Sequence, residues 1–304
     1  MSLKYKSILY MRTLVINKSN VVVGSNNTEY EYAFPQGGIR LEQGEKVALS
    51  SITMFYSTPN ITSLYNNNKF QYIWVDGLTY DVNIPDGFYE VSNLNDFLHQ
   101  TFINNKHYLV ETATGNFVYF LTLVANNVTY KIDLTAFPMN TTLYPPATYN
   151  LPAGATWVVP VGSAVNPQLN ILGVNAVSGA NFGAVIGFSN ALPNNEYPNI
   201  NNITSTTIVS STITPQVSPL STFTLKCSLV NNNYTIPNSI IYSFPPFGTF
   251  GSQFSVTPPE FSFIDVNAGS YANFRVSLTD QADQPITILD PDITILLVIK
   301  AKDE

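Results

Sequence analysis

Charge, histidine and cysteine are all scarce in this chain. Of 304 residues only 11% are charged, two are histidine and one is cysteine. Each shortage excludes something. A single cysteine, Cys227, cannot form an intrachain disulfide. A hydrolase built on Ser-His-Asp or Cys-His needs a histidine beside its nucleophile, and His99 and His107 are the only two on offer. Neither lies in a metal-binding spacing such as His-x-x-x-His. The 13 Lys and Arg residues are spread thinly through a chain of net charge −7, so no basic stripe exists to neutralise a row of phosphates. Strong nucleic-acid binding is therefore not expected. The longest apolar runs, near Val118 to Ala125 and Ile293 to Ile299, fall far short of the ~20 residues that span a bilayer as a helix. Near the N-terminus, the stretch Ile8 to Met11 is cut by Arg12 before it reaches signal-peptide length. Without a secretory leader, the sequons at Asn17, Asn26, Asn60, Asn127, Asn140, Asn202 and Asn233 are expected to be idle.

What the chain does contain is apolar and aromatic material in a neutral polar background. Hydrophobic residues make up 45%, with 18 Tyr and 19 Phe, and asparagine recurs in runs such as Asn66 to Asn68 and Asn231 to Asn233. That balance favours a packed fold over disorder. Few charges also mean weak long-range repulsion, which suits a protein that sits against others.

The periodicity is that of strands. Lys46 to Ser57 is long enough to cross a sandwich, and Lys69 to Val75 is expected to pair with Leu78 to Ile84 across Asp76-Gly77, a hairpin dipeptide with both residues at positive φ. Ser92 to Asn104 predicts the one helix, capped by Ser92, with Leu94, Phe97, Leu98 and Phe102 on one face. From about Thr135 to Pro219 the composition shifts to Pro, Gly, Asn and Thr. A structureless loop of that length is unusual in a compact domain, so residues 135–219 are read as a β-rich or looped insertion. Strands return after Leu220. In Phe223 to Val230 the residues Phe223, Leu225, Cys227 and Leu229 share one face, which makes Cys227 an inert core thiol. The last segment, Asp292 to Lys300, is apolar on both faces: Ile293, Ile295, Leu297 and Ile299 on one, Leu296 and Val298 on the other. Such a strand must be clamped inside a sheet and covered on its outer face too, by its own chain or by a neighbouring subunit.

The expected fold is all-β: an antiparallel sandwich or jelly roll with one short helix and an insertion. The expected division is an N-terminal arm at 1–13, a first part of the jelly roll at 14–134, the insertion at 135–219 and a second part at 220–304. Other chemistry is weighed against plainer roles. Asp280, Asp283, Asp290 and Asp292 could converge on calcium, yet they flank apparent turns before Pro285 and Pro291, where aspartate serves turn geometry. The glycine-rich pieces Gly179 to Gly187 and Gly248 to Gly251 lack the lysine and the strand-to-helix setting of a phosphate loop. Trp74, Tyr80, Trp157 and Tyr197 could line a carbohydrate site, although in a chain with 13% aromatics most must be core. No catalytic residue, cofactor or metal is expected. His99 is placed on the helix facing solvent and His107 at a strand entrance.

Three segments taken together carry a resemblance: Ile84 to Phe102 (IPDGFYEVSNLNDFLHQTF), Pro245 to Val256 (PPFGTFGSQFSV) and Tyr271 to Lys300 (YANFRVSLTDQADQPITILDPDITILLVIK). In content and order they resemble the minor capsid, or penton, proteins of virophages and polinton-type viruses. The resemblance implies a single jelly roll that assembles as a homopentamer at the fivefold vertices of an icosahedral virion. Its neighbours would be capsomers of a double jelly-roll major capsid protein. It implies a structural role and no enzyme activity. Within that role, Leu296 and Val298 are the expected subunit-interface residues. Lys4, Lys6 and Arg12 in the arm are expected to touch neighbours or the capsid interior, and the insertion to contact a host surface. The alternative is a carbohydrate- or receptor-binding β-sandwich used for attachment.

Overall fold

The computed structural model describes residues 11–171, 182–188, 196–218 and 220–302. The chain opens with β1 (Met11–Asn17), β2 (Glu29–Ala33), β3 (Ile39–Leu41) and β4 (Lys46–Phe55). It continues through β5 (Lys69–Ile73), β6 (Thr79–Asn83), α1 (Val91–Asn105), β7 (Leu109–Glu111), β8 (Phe117–Val118), β9 (Leu121–Asn126) and β10 (Lys131–Ala136). Next come β11 (Tyr149–Asn150), β12 (Gln168–Asn170), α2 (Phe182–Ile186), β13 (Glu196–Tyr197) and β14 (Thr207–Ser210). It returns with β15 (Phe223–Cys227), β16 (Ile240–Phe244), β17 (Gln253–Val256), β18 (Ile264–Asp265), β19 (Gly269–Tyr271), β20 (Asn273–Thr279) and β21 (Thr294–Lys300). Contacts divide the chain into two compact units, Met1–Pro59 with Leu220–Glu304, and Asn60–Pro219.

The first unit holds two antiparallel sheets, ordered β1-β21-β4-β17 and β16-β15-β20-β2. Counting its eight main strands in chain order, one sheet runs first, eighth, third, sixth and the other second, seventh, fourth, fifth. That is the strand order of a single jelly roll. Each inner face carries the alternate apolar set that the strand period provides. Leu14, Ile16, Val47, Ile52, Ile295, Leu297 and Ile299 lie on one side, and Tyr30, Phe223, Leu225, Cys227, Val276 and Leu278 on the other, all buried. Full burial of an Ile or Leu side chain contributes roughly 1.5–3 kcal/mol, so β21 with its three fully buried positions is a principal stabiliser of this unit.

One bulge makes the inner face work. Leu296 sits opposite Ser51 and Leu297 opposite Leu49, so β4 carries an extra residue, Ser50, at this point. The parity of β4 switches there, and Val47 and Leu49 before it point inward together with Ile52 and Met54 after it. A strict two-residue alternation through Lys46 to Phe55 would have turned half of these to solvent.

The second unit, Asn60–Pro219, has its own core of buried residues, including Phe70, Tyr72, Trp74, Leu98, Phe102, Phe120, Leu134 and Phe182. Its sheets are β13-β12-β5-β6, β14-β10-β9 and β11-β7-β8. Residues 60–134, expected in the first part of the jelly roll, therefore belong to the same unit as 135–219. The composition change near Thr135 marks where strands become short, while the boundary lies where a separate core begins. Two local expectations also need correcting. Helix α1 starts a turn's edge earlier than Ser92: Glu90 is its cap residue, and Asn93 accepts from the Glu90 N–H at 2.9 Å. The β5–β6 hairpin closes through a three-residue loop in which Gly77 alone takes a positive φ (79°), with Gly77 N–H donating to Trp74 O and Trp74 N–H to Leu78 O. Buried Leu94, Leu98 and Phe102 form the packed stripe of α1.

The two faces of β21 can be told apart by mutation. Leu297→Ala is expected to destabilise the sandwich by about 3 kcal/mol and Leu296→Ala by about 1 kcal/mol or less in denaturant unfolding. Equal costs, or the reverse order, would contradict the placement of the bulge.

Candidate functional site

The outer faces of the two sandwich sheets differ in chemistry. On the β1-β21-β4-β17 sheet, Val15 lies opposite Leu296 and Thr13 opposite Val298, which in turn faces Ala48. Further along, Thr53 pairs with Ser255 and their hydroxyls meet at 3.0 Å. This stretch is uncharged, with Met11 and Val15 exposed and Leu296 partly exposed. Lys46 and Lys300 appear only at one end, where Lys46 lies 3.7 Å from Asp265. The outer face of the other sheet is polar and charged. Arg275 meets Glu31 at 3.2 Å, Asn273 donates to Glu31 at 2.6 Å, and Lys226 pairs with Asp283. Exposed ion pairs of this kind are worth about 0–1 kcal/mol each and mark a solvated face. The uncharged face is the candidate assembly surface.

The structure separates the expected interface pair. Val298 is only 6% exposed and Ala48 is fully buried, so this part of the face is already covered within the single chain. Leu296 keeps exposed surface beside Val15. Val15 was not singled out from the sequence, because its role depends on register with a strand at the far end of the chain. Lys4 and Lys6 lie outside the described residues. Arg12 is described, and it is not in an arm: β1 begins at Met11, pairs residue by residue with β21, and Arg12 is ion-paired with Glu45, whose carboxylate also accepts from the Glu42 N–H. The apolar alternation Leu14, Ile16 extends the sheet back over Arg12 and Thr13, which the basic residues had suggested were outside it.

The two histidines are structural. His107 is 2% exposed, its ring lies flat on Trp74 at 4.6 Å, and its Nδ1 is 2.7 Å from the Tyr72 hydroxyl, which accepts in turn from Asn105 Nδ2 at 2.7 Å. Burial pushes the His107 pKa down to about 4, so the ring is neutral and can take the tyrosine proton as a hydrogen-bond acceptor. His99, expected to face solvent, instead stacks on Tyr119 at 3.9 Å and bonds Leu121 O at 3.3 Å. Burial lowers its pKa as well. The ring neighbours of both histidines are aromatic: Trp74, Tyr72 and Tyr80 around His107, and Tyr119 and Phe102 around His99. Trp74, Trp157 and Tyr197 lie in the second unit's core, and Tyr80, half-buried, packs against it and stacks on Tyr72 at 5.3 Å.

The aspartates are occupied by turns. Asp280 accepts from the N–H groups of Ala282 and Gln284, Asp290 from that of Asp292, and Asp292 pairs with Lys18 at 2.6 Å. Among the described residues no group of three His, Cys, Asp or Glu side chains is arranged to hold a metal. Of the glycine-rich pieces, 182–187 forms the short buried α2 and its turn, and Gly179 lies outside the described residues. Gly187, at φ 76°, needs to be glycine because a Cβ there would meet Ile213 O at 2.5 Å. Cys227 is buried, and burial raises its pKa to about 12.

No protein-family model matches the chain, and no curated protein matches it. Among solved structures it is similar to the mavirus penton protein in a crystal structure, at 10% identity and a TM-score of 0.46, over 97% of this chain and 99% of that one. It is also similar to a chain in a cryo-electron microscopy structure of the Sputnik virophage, at 12% identity and a TM-score of 0.38, over 96% of this chain and 98% of that one.

Two outcomes follow from the buried groups. Unfolded His107 binds its proton near pH 6.5 and the folded ring only near 4, so its stabilising contribution is complete above pH 6.5 and is lost as pH falls between those values, by up to about 3 kcal/mol. Thermal melts of His107→Gln against wild type should show a flatter acid limb in the variant; identical limbs would refute the assignment. Native Cys227 should resist thiol reagents at pH 8 and react only on unfolding.

Proposed function

We propose that this protein is a structural capsid protein of a virion of the virophage or polinton type, closing the fivefold vertices as a homopentamer among capsomers of a major capsid protein. The observation that carries this reading is the single jelly roll whose last strand is held between β1 and β4 and presents an uncharged outer face around Leu296 and Val15. A ring of identical copies needs a heterologous interface, one flank of each subunit meeting the other flank of the next. Its useful property is the angle between those flanks, so the molecule works by shape and needs no reacting group. Permanent contacts of this kind are extensive and apolar at their centre, which suits a face poor in charge.

The second unit takes the part of the outward attachment element. It carries several highly exposed apolar side chains, including Val128, Tyr130, Val158 and Val161, of the kind that contact a host surface or another protein. Lys4 and Lys6 serve contacts with neighbours or with the capsid interior. Assembly takes place in the host cell and the mature location is the virion. The glycan-binding alternative loses its aromatic candidates to the core, and it would require a surface other than the one they suggested.

The purified protein is expected to sediment at five times the chain mass, and imaging of assembled particles should place it at the vertices. A stable monomer that binds glycans would overturn the vertex reading. Leu296→Asp with Val15→Asp is expected to block assembly while leaving a folded sandwich, whereas Val298→Asp should lose several kcal/mol of stability because it buries a charge inside one chain.

A further inference from the structure

The loop between β15 and β16 ends in two apolar side chains that touch almost nothing: Tyr234 is 98% exposed and Ile236 99%. It is nevertheless a built loop. Asn232 N–H donates to Asn238 O at 2.7 Å, Asn232 Nδ2 to Ile240 O at 3.1 Å, the Tyr234 N–H to Asn232 Oδ1 at 3.1 Å, and Thr235 Oγ1 to Pro237 O at 2.9 Å. Holding a tyrosine and an isoleucine in water on a braced tip is costly unless another surface covers them.

A hole lies at the same end of the same sheet, toward its opposite edge. In the order β16-β15-β20-β2, the knob leaves beside edge strand β16, while the segments flanking β2 and β20 frame an open, largely polar depression of about 410 Å³. Gly37, Gly38, Arg40, Ser270 and Tyr271 line it. Gly38 lets its two walls approach: at φ 142° its backbone lies so close that a Cβ would meet Tyr271 O at 2.9 Å. Arg40 is exposed, and among the described residues no acidic side chain pairs with it, so its guanidinium is available to an incoming aromatic ring. One segment braces knob and hole to each other. Asn231 N–H donates to Asp265 O, Asn267 bonds the backbone of Leu229 and Val230, and the Tyr271 hydroxyl donates to Asn267 O at 2.8 Å.

We propose that Tyr234 and Ile236 of one copy plug the cavity between Gly38, Arg40 and Tyr271 of the next copy, head to tail around the ring. This rests on the ring-forming reading above. The occupant is a second copy because knob and hole lie toward opposite edges of one sheet at one end, which is the arrangement that heterologous closure requires, and because Arg40, unpaired among the described residues, can face the Tyr234 ring. A buried tyrosine covers about 150–250 Å², a fraction of the roughly 800 Å² per partner of a stable contact. The knob is thus the anchor of a wider flank contact, in the way that a few central aromatic residues dominate other interfaces. The braced segment between knob and hole sets the angle at which successive copies meet.

The test is sedimentation of four samples: wild type, a knob variant (Tyr234→Ser with Ile236→Ser), a hole variant (Ser270→Trp), and an equimolar mixture of the two variants. All altered positions are exposed, and matched thermal melts would establish that both variants fold. We expect a wild-type ring, monomers for each variant with association weakened more than about 30-fold, and a dimer in the mixture. One intact knob and one open hole allow a single contact that cannot propagate. Variants that form rings as wild type does would overturn the plug while leaving the ring reading standing. A mixture that stays monomeric would overturn it too. A wild type that remains monomeric at tens of micromolar would overturn the ring reading, and the plug with it.

Discussion

The seating of β21 between β1 and β4 is the constraint on which the first unit depends. A strand that is apolar on both sides cannot lie at a sheet margin without exposing one row of side chains and one row of backbone groups. Placed centrally, it hands its backbone groups to two neighbours and its odd-numbered side chains to the core. That placement joins the two ends of the chain, since β1 and β21 pair in continuous register from Met11 with Lys300 to Asn17 with Thr294. The sheet is complete only when β21 has joined β1 and β4. This also explains how the chain can give up Asn60–Pro219 to a unit with a separate core: the sandwich is closed by the pairing of β1 with β21 and not by the segment between β4 and β15.

From that closure the division of labour follows. The sheet containing β21 has an uncharged outer face, because the strand that seals the core has apolar residues left over on its other side. The sheet containing β20 has Glu31, Arg275, Lys226 and Asp283 on its outer face and asks for water. A sandwich with one face of each kind has a preferred side for burial against neighbours. The loops at the end of the sandwich bearing Met11 and Lys300 add a second directional feature, a braced apolar knob on one flank and a glycine-lined cavity on the other. Interfaces that close rings need this handedness, and a symmetric surface would give dimers instead.

The second unit shows how aromatic abundance can mislead a reading for function. Of the residues that suit a sugar site when seen singly, Trp74, Tyr80 and Trp157 pack in one cluster with His107 and Tyr72, and Tyr197 packs on Phe188. Both histidine rings are desolvated packing partners of aromatic side chains. The helix was legible from Leu94, Leu98 and Phe102, whose spacing is a local property. The limits of the unit were not legible, because a boundary depends on which apolar residues share a core, and Phe70, Phe120 and Phe182 come together from distant parts of the chain.

Local chemistry thus determined a good deal by itself. Alternation marked Phe223 to Val230 as a strand with one buried face, and the apolar run within Asp292 to Lys300 as a strand that buries both. Those properties are written in neighbours two or four residues apart, where the backbone period alone decides direction. Only the tertiary structure decided that Arg12 belongs to a strand, that Ser50 is the extra residue which keeps Leu49 and Ile52 on one face, and that Val298 is covered while Leu296 is not. Each of these depends on pairing between segments hundreds of residues apart. Register and cover across such distances arise from the whole set of contacts closing together, and no stretch of residues carries them alone.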